Sequence, residues 1–405
     1  MGQKHIVIVG GGHAAAQLCA SLIEKKFDGL ITLVCEEEFL PYQRPPLSKA
    51  FIKDDSGAVA LIKSESWYEQ SNIRTLTDIQ ATEIRPEEGK LLLSNGEILQ
   101  YDNLVLATGT RARKLPWLRS ELTNVHSLRT AADAAKIKDS VAKSSEVTII
   151  GAGFIGLELA ATANALGKKV RVLELAPRIL GRSLSKEFSD YVLNKHLASG
   201  IQLDLNVALG EAKFKDGRIT HLQINGIEET IEELIVAIGA VPEQSLAVNA
   251  GIECGNGILV DEFMRTNVPN ILAIGDCTSF VMRKMEGRLR LESIQNALDQ
   301  AKVAAAVIVG EEASYHPYPW FWSEQGSLRL QMAGLLPPNV TKTLKRNGSN
   351  EDSFSLFHYV DDELVCVESV NSPMDHMNAK KFLEKGIHPT KDQVVDLTFQ
   401  LKSLI

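Results

Sequence analysis

The sequence predicts an α/β protein: two units built on parallel sheets, followed by a small α+β domain at the carboxyl end. Three observations carry that expectation. Short β-branched runs lead into glycine-rich turns and alanine-rich helical stretches, the order expected of parallel strands joined by helices. This order occurs twice, a domain length apart and far beyond any solenoid period. From roughly Pro319 the pattern changes to alternating strands and ends in a helix.

The first unit opens with the strand His5-Ile6-Val7-Ile8-Val9, turns through Gly10-Gly11-Gly12-His13-Ala14-Ala15, and continues as a helix over about 16–25. A second strand, Leu30-Ile31-Thr32-Leu33-Val34, is followed by Glu36. The second unit repeats the plan. Val147-Thr148-Ile149-Ile150 leads into Gly151-Ala152-Gly153-Phe154-Ile155-Gly156, a helix through Leu166, the strand Val170-Arg171-Val172-Leu173, and Glu174. The remaining strands are expected over 328–333, 354–359 and 363–370, with a helix near 378–385.

Each turn carries the residues that a dinucleotide requires. The first glycine permits the tight turn, the second lets backbone approach a pyrophosphate, and a small third residue lets helix and strand touch. Gly10, Gly12 and Ala15 meet this in the first unit, and Gly151, Gly153 and Gly156 in the second. The phosphates then face a helix N-terminus, where unpaired N–H groups favour an anion. The acids Glu36 and Glu174, some two dozen residues beyond each first glycine, suit the ribose hydroxyls. Both units therefore read as Rossmann-like dinucleotide-binding folds. A carboxylate at Glu174 accepts from a free 2′-hydroxyl and repels a 2′-phosphate, which favours NADH over NADPH. The neighbouring cations Lys168, Lys169, Arg171, Arg178 and Arg182 pull the other way, although surface solvation explains most of them.

Composition bounds the alternatives. The chain has 405 residues, 44% hydrophobic and 23% charged, so it exceeds the growth limit of one core and has room for a large cofactor. A net charge of -8 gives no support to nucleic-acid binding. No signal peptide is visible, and the longest uninterrupted apolar run falls far short of the roughly 20 residues that span a bilayer. The expectation is a cytoplasmic protein without a membrane segment. Five scattered cysteines form no CxxC or metal pair, and the nine histidines are dispersed, so neither a metal site nor a Ser-His-Asp set is expected.

At this level the chain resembles, over essentially its whole length, the two-dinucleotide-binding flavoprotein reductases, specifically the ferredoxin and rubredoxin reductases of bacterial oxygenase systems. The carriers are the two glycine fingerprints, Leu40-Pro41-Tyr42-Gln43-Arg44-Pro45-Pro46-Leu47-Ser48-Lys49, Leu106-Ala107-Thr108-Gly109, Ile274-Gly275-Asp276, Leu291-Glu292-Ser293-Ile294-Gln295-Asn296 and Pro319-Trp320-Phe321-Trp322-Ser323-Glu324-Gln325. The resemblance implies FAD in the first unit and NADH in the second, the nicotinamide stacking on the flavin. It divides the chain into an FAD-binding domain (1–112 and 246–318), an NAD-binding domain (113–245) and a carboxyl-terminal α+β domain (319–405). It implies FAD contacts from Gly10, Gly12, His13, Ala14, Ala15, Glu36, Arg44, Lys49, Ala81, Ala107, Thr108, Gly109, Arg129, Asp276, Ile294 and Trp322. For NAD it implies Gly151, Gly153, Phe154, Ile155, Gly156, Glu158, Glu174, Arg182, Gly239 and Glu292. Lys49, near flavin N5 and ion-paired with Glu158, and Trp322, at the flavin edge where electrons leave, are the expected catalytic residues. Trp320 and Phe321 are expected to pack. Ala15, where many relatives carry glycine, is the one departure.

A disulfide reductase of the same superfamily would need a reactive cysteine on the segment 41–49, which has none. The expected activity is thus hydride uptake from NADH and single-electron delivery to a small iron-sulfur protein, a two-iron ferredoxin first and a rubredoxin next. Docking of an acidic carrier would draw on Arg283, Lys284, Arg288, Arg290, Lys302 and Arg329. A second reading is a redox-dependent interaction protein resembling apoptosis-inducing factor, though the long extensions of such a protein are absent from this sequence.

Overall fold

The computed structural model describes residues 3–54, 56–118, 122–282 and 287–405. They form two compact units: Met1–Arg44, Ala58–Arg111 and Ala240–Pro317 in one, Pro45–Gly57, Ala112–Gly239 and Tyr318–Ile405 in the other.

The first unit centres on a five-stranded sheet in the order Ile271–Ala273, Asn103–Leu106, His5–Val9, Leu30–Val34, Ile73–Leu76. Every pairing is parallel. Parallel strands are covered on both faces, which is why they read as unbroken Val/Ile/Leu runs: Ile6, Val7, Ile8, Leu104 and Val105 are wholly buried. The helices His13–Glu24 and Ile294–Val309 supply the small residues Ala14, Ala15, Ala301, Ala304 and Ala305 to this core, which lets backbone come close to backbone. The first helix starts at His13, earlier than the sequence alone suggested, because the turn residues Gly12-His13 already enter the helix.

The second unit holds another parallel sheet, ordered Gln202–Asp204, Lys169–Leu173, Glu146–Ile150, Leu234–Val236, Val125–His126. It also holds the five-stranded antiparallel sheet Trp320–Gln325, Leu328–Gly334, Glu363–Val370, Phe354–Val360, Lys342–Asn347. The α/β class, with two parallel-sheet folds and an α+β carboxyl-terminal part, is therefore the observed one. The last helix of the expectation begins at Pro373 rather than near 378, since proline at the first helical position gives up an N–H that would be unpaired there anyway. The short segment 45–57, expected with the first domain, packs in the second unit, where Ile52 joins the core of Ile137, Val141 and Leu159.

Both parts of the second unit share one core, in which Phe188 of the helix Lys186–Ala198 meets Phe354, ring centroids 6.0 Å apart. A buried polar junction adds to it: Glu368, wholly buried, accepts from the backbone N–H of Ser185 at 2.7 Å and from the Ser185 hydroxyl, and meets His358 Nε2 at 2.8 Å. Among the described residues no helix is long and apolar enough to cross a membrane.

Candidate functional site

In the first unit Gly10 closes the turn at φ +133, and a Cβ there would fall 2.1 Å from the carbonyl oxygen of Ala107. Only glycine permits that approach of the turn to the neighbouring strand end. Around Gly12, by contrast, nothing lies within 4 Å of a built Cβ, so the helix mouth is open where a pyrophosphate would run. Ala15 is wholly buried. Alanine therefore fills the third position in a dense core, which accounts for the departure noted in the sequence.

The second unit repeats this geometry. Gly151 sits at φ +105 with a built Cβ 2.4 Å from the carbonyl oxygen of Ala237, Gly153 is open, and a Cβ on Gly156 would strike the Gly151 oxygen at 2.0 Å. The strand ends match too: Ala107-Thr108-Gly109 in one unit stands where Ala237-Ile238-Gly239 stands in the other. In the first, Thr108 Oγ1 donates to the Glu243 carbonyl at 2.6 Å and Glu243 N–H donates to the Gly109 carbonyl at 2.9 Å.

The acids lie beside these turns. Glu174 accepts from the Ala152 N–H at 2.7 Å and the Ala176 N–H at 2.8 Å, which fixes its carboxylate at the rim of the glycine turn. Glu36 is exposed and accepts from Gln80 at 3.4 Å, next to Ala81. Glu37, which the sequence reading passed over, is the acid that takes Tyr42 at 2.6 Å and Arg44 at 2.8 Å. The run Glu36-Glu37-Glu38 concealed which member pairs with Arg44. Gln300 was also missed: wholly buried, it accepts from the Gly275 N–H at 2.6 Å and from Thr278 Oγ1 at 3.0 Å, holding the turn that presents Asp276.

Most residues expected around FAD lie in the first unit, from Gly10, Gly12, His13, Ala14 and Ala15 to Asp276 and Ile294; Lys49, Arg129 and Trp322 belong to the second. Glu292, expected with NAD, lies in the first unit and pairs with Arg290 at 2.6 Å. Of the expected NAD residues in the second unit, Ile155 is exposed and Arg182 lies beside Gly239. Phe154 turns to Phe321, centroids 4.5 Å apart and edge to face.

Lys49 and Glu158 come together at 2.8 Å in the second unit. Glu158, on the helix Phe154–Ala165, is buried among donors: the Ser48 hydroxyl at 2.5 Å and the Ser323 hydroxyl at 2.7 Å join the lysine. Thr162 Oγ1 donates to the Ser48 carbonyl at 2.8 Å, so one helix face holds both halves of the loop end. Alternation along Trp320–Gln325 puts Phe321, Ser323 and Gln325 on one face, Phe321 and Ser323 meeting this helix and Gln325 meeting His196 of the helix Lys186–Ala198. Trp322 points the other way and stacks on Trp320 at 5.8 Å.

Residues 4–301 match the family model described as pyridine nucleotide-disulphide oxidoreductase, and residues 320–405 match the one described as reductase C-terminal. The chain belongs to the pyridine nucleotide-disulphide oxidoreductase family. Rhodocoxin reductase of Rhodococcus erythropolis is 39% identical to this oxidoreductase over 99% of the chain and 94% of its own length. The crystal structure of the ferredoxin reductase for the CYP199A2 system of Rhodopseudomonas palustris superposes with a TM-score of 0.94, at 38% identity and 99% coverage of each chain. The reductase of the covalent putidaredoxin reductase-putidaredoxin complex superposes at 0.93, with 31% identity over 99% of this chain and 98% of that one.

The family's name refers to disulfides, yet the thiols of this oxidoreductase are packing groups. Cys35 lies beneath Gly11, and burial pushes its thiol up to about 12. Burial likewise raises Cys19, Cys254, Cys277 and Cys366. A thiol held in its protonated form is a poor nucleophile.

Three of the cations expected to meet a carrier have partners within the chain. Arg288 donates to the Val260 and Ser279 carbonyls at 3.1 and 2.9 Å, and Arg290 to the Asp276 carbonyl at 3.3 Å. Lys302 pairs with Asp299 at 3.2 Å. Arg283 and Lys284 lie outside the described residues.

Proposed function

We propose that the chain is a flavoprotein reductase that takes hydride from NADH and passes single electrons to a small iron-sulfur protein, a two-iron ferredoxin or a rubredoxin, serving an oxygenase system. The observation that carries it is the duplicated cradle, with Gly10 closed against Ala107 and Gly151 against Ala237 while Gly12 and Gly153 stay open. FAD, held by the first cradle, supplies the conversion between a two-electron donor and one-electron acceptors.

The chain's own residues bind and orient. Gly10 to Ala15 present helix N–H groups to the FAD phosphates, Glu36 takes the adenosine ribose, and Arg44 and Asp276 flank the remaining contacts. Glu174 takes the NADH ribose. Three of the nearby cations have other partners: Lys168 donates to the Ala142 and Ser144 carbonyls, Arg171 to Asp204 and Glu229, and Arg178 to the Gly181 carbonyl. They are therefore poor candidates to hold a 2′-phosphate, which supports NADH preference. Lys49, oriented by Glu158, places an ammonium for the flavin, and Trp322 serves the electron exit. The cytoplasm is the proposed location.

The domain division 1–112 with 246–318, 113–245 and 319–405 remains the reading that suits these roles. The rival interaction protein has no observation in its favour. Rapid mixing of the FAD-loaded, NADH-reduced protein with a two-iron ferredoxin or a rubredoxin tests the proposal. Fast return of the oxidised flavin spectrum is expected, whereas a long-lived reduced complex inert to both carriers contradicts it.

A further inference from the structure

A buried chain of side chains runs from His196 to the Lys49–Glu158 pair, and its direction follows from the chemistry of its end. Glu158, facing an ammonium, only accepts. Ser323 therefore spends its single proton on Glu158 Oε1 at 2.7 Å and can only accept from Gln325 Nε2, at 3.2 Å. With the amide so oriented, Gln325 Oε1 faces His196 Nε2 at 2.8 Å, and that nitrogen must carry the ring proton.

Burial lowers the His196 pKa and so favours the neutral ring that this tautomer requires. His196, Gln325, Ser323 and Glu158 are all buried, so none has water as a substitute partner. Reversing any one donor would leave two buried acceptors or two donors face to face. The orientation of the whole chain is thus determined.

We propose that His196, Gln325 and Ser323 are positioning residues for Glu158: they pin Oε1, so that Oε2 is presented to Ser48 and Lys49. This rests on the reading that the Lys49–Glu158 pair serves flavin reduction. The chain reaches from the last turn of the helix Lys186–Ala198 through the strand Trp320–Gln325 to the helix Phe154–Ala165. It ties the rotamer of one carboxylate to three separate elements, and the strand is also the one that carries Trp322.

The test is anaerobic rapid mixing of the FAD-loaded full chain with NADH, reading the limiting rate of flavin reduction separately from the NADH dissociation constant. Ser323→Ala and Gln325→Leu should each lower the limiting rate about fivefold, the equivalent of one neutral hydrogen bond, with the dissociation constant unchanged. Ser323→Thr, which keeps the hydroxyl, should restore the rate. Wild-type rates in Ser323→Ala and Gln325→Leu, beside a slowed Glu158→Gln, would overturn the positioning role and leave the pair's role standing. Losses shared equally by rate and affinity, with no recovery in Ser323→Thr, would also overturn it. A Glu158→Gln protein reduced at the wild-type rate would remove the pair's role, and the positioning role with it.

Discussion

Glu174 is held by two backbone N–H groups at the edge of the second glycine turn, so its carboxylate is in place before any nucleotide arrives. Glu174→Ala should narrow the preference for NADH over NADPH by about tenfold, the worth of one charged ribose contact. Steady-state kcat/KM for both nucleotides reads this directly; an unchanged ratio would mean that the acid does not touch the ribose. Lys49 poses a different question, because removing it leaves Glu158 buried with only two hydroxyl donors. Lys49→Ala should cost about 3 kcal/mol in denaturant unfolding and slow flavin reduction by NADH. Loss of neither stability nor rate would take Lys49 out of the site. Glu174 could be read from the glycine spacing, which sets where a ribose carboxylate falls, whereas the pairing of Lys49 with Glu158 was expected only from the family resemblance. Ser48, Ser323 and Gln300 were not legible, since a serine or glutamine gives no periodic signal and gains its role only from what the fold brings beside it.

Elements differ in the same way. The strand-turn-helix units could be read because buried parallel strands are uniformly apolar and the turns demand glycine. The edge strand Lys342–Asn347 was missed: Lys342, Thr343, Lys345, Arg346 and Asn347 are polar, and only Leu344 enters the core. Arg346 explains part of what this edge does. It donates to the carbonyls of Val394, Asp396 and Phe399 at 2.9, 2.8 and 3.1 Å, and lies 3.5 Å from Asp375. Arg346→Ala should free the final turns, lowering stability by about 2–4 kcal/mol and exposing the stretch beyond Thr390 to protease. Digestion at the wild-type rate would show that the guanidinium does not hold the tail. The segment Trp320–Gln325 was singled out as an aromatic motif and not as a strand, and the alternation of that strand is what sends Ser323 and Trp322 to opposite faces.

For the molecule as a whole, acid is the informative stress. Burial, with the charges of Lys380 and Arg329 beside it, holds His376 down from 6.5 to about 4. The folded protein therefore binds fewer protons than the unfolded chain below pH 6.5. Stability should be complete above that pH, fall by up to about 3 kcal/mol as pH drops toward 4, and then level off for this group. His376→Gln should remove that part of the slope in urea unfolding at stepped pH; a slope identical to wild type would contradict the assignment. At the same scale, duplication of the cradle is what separates this chain from a protein with one nucleotide fold, and it underlies the proposed electron path. The most direct measurement is the visible absorbance of the purified protein, incubated with FAD and titrated anaerobically with NADH. The account predicts a bound flavin spectrum that NADH bleaches in stoichiometric amounts. A protein that takes up no FAD, or a bound flavin that NADH leaves oxidised, would contradict it.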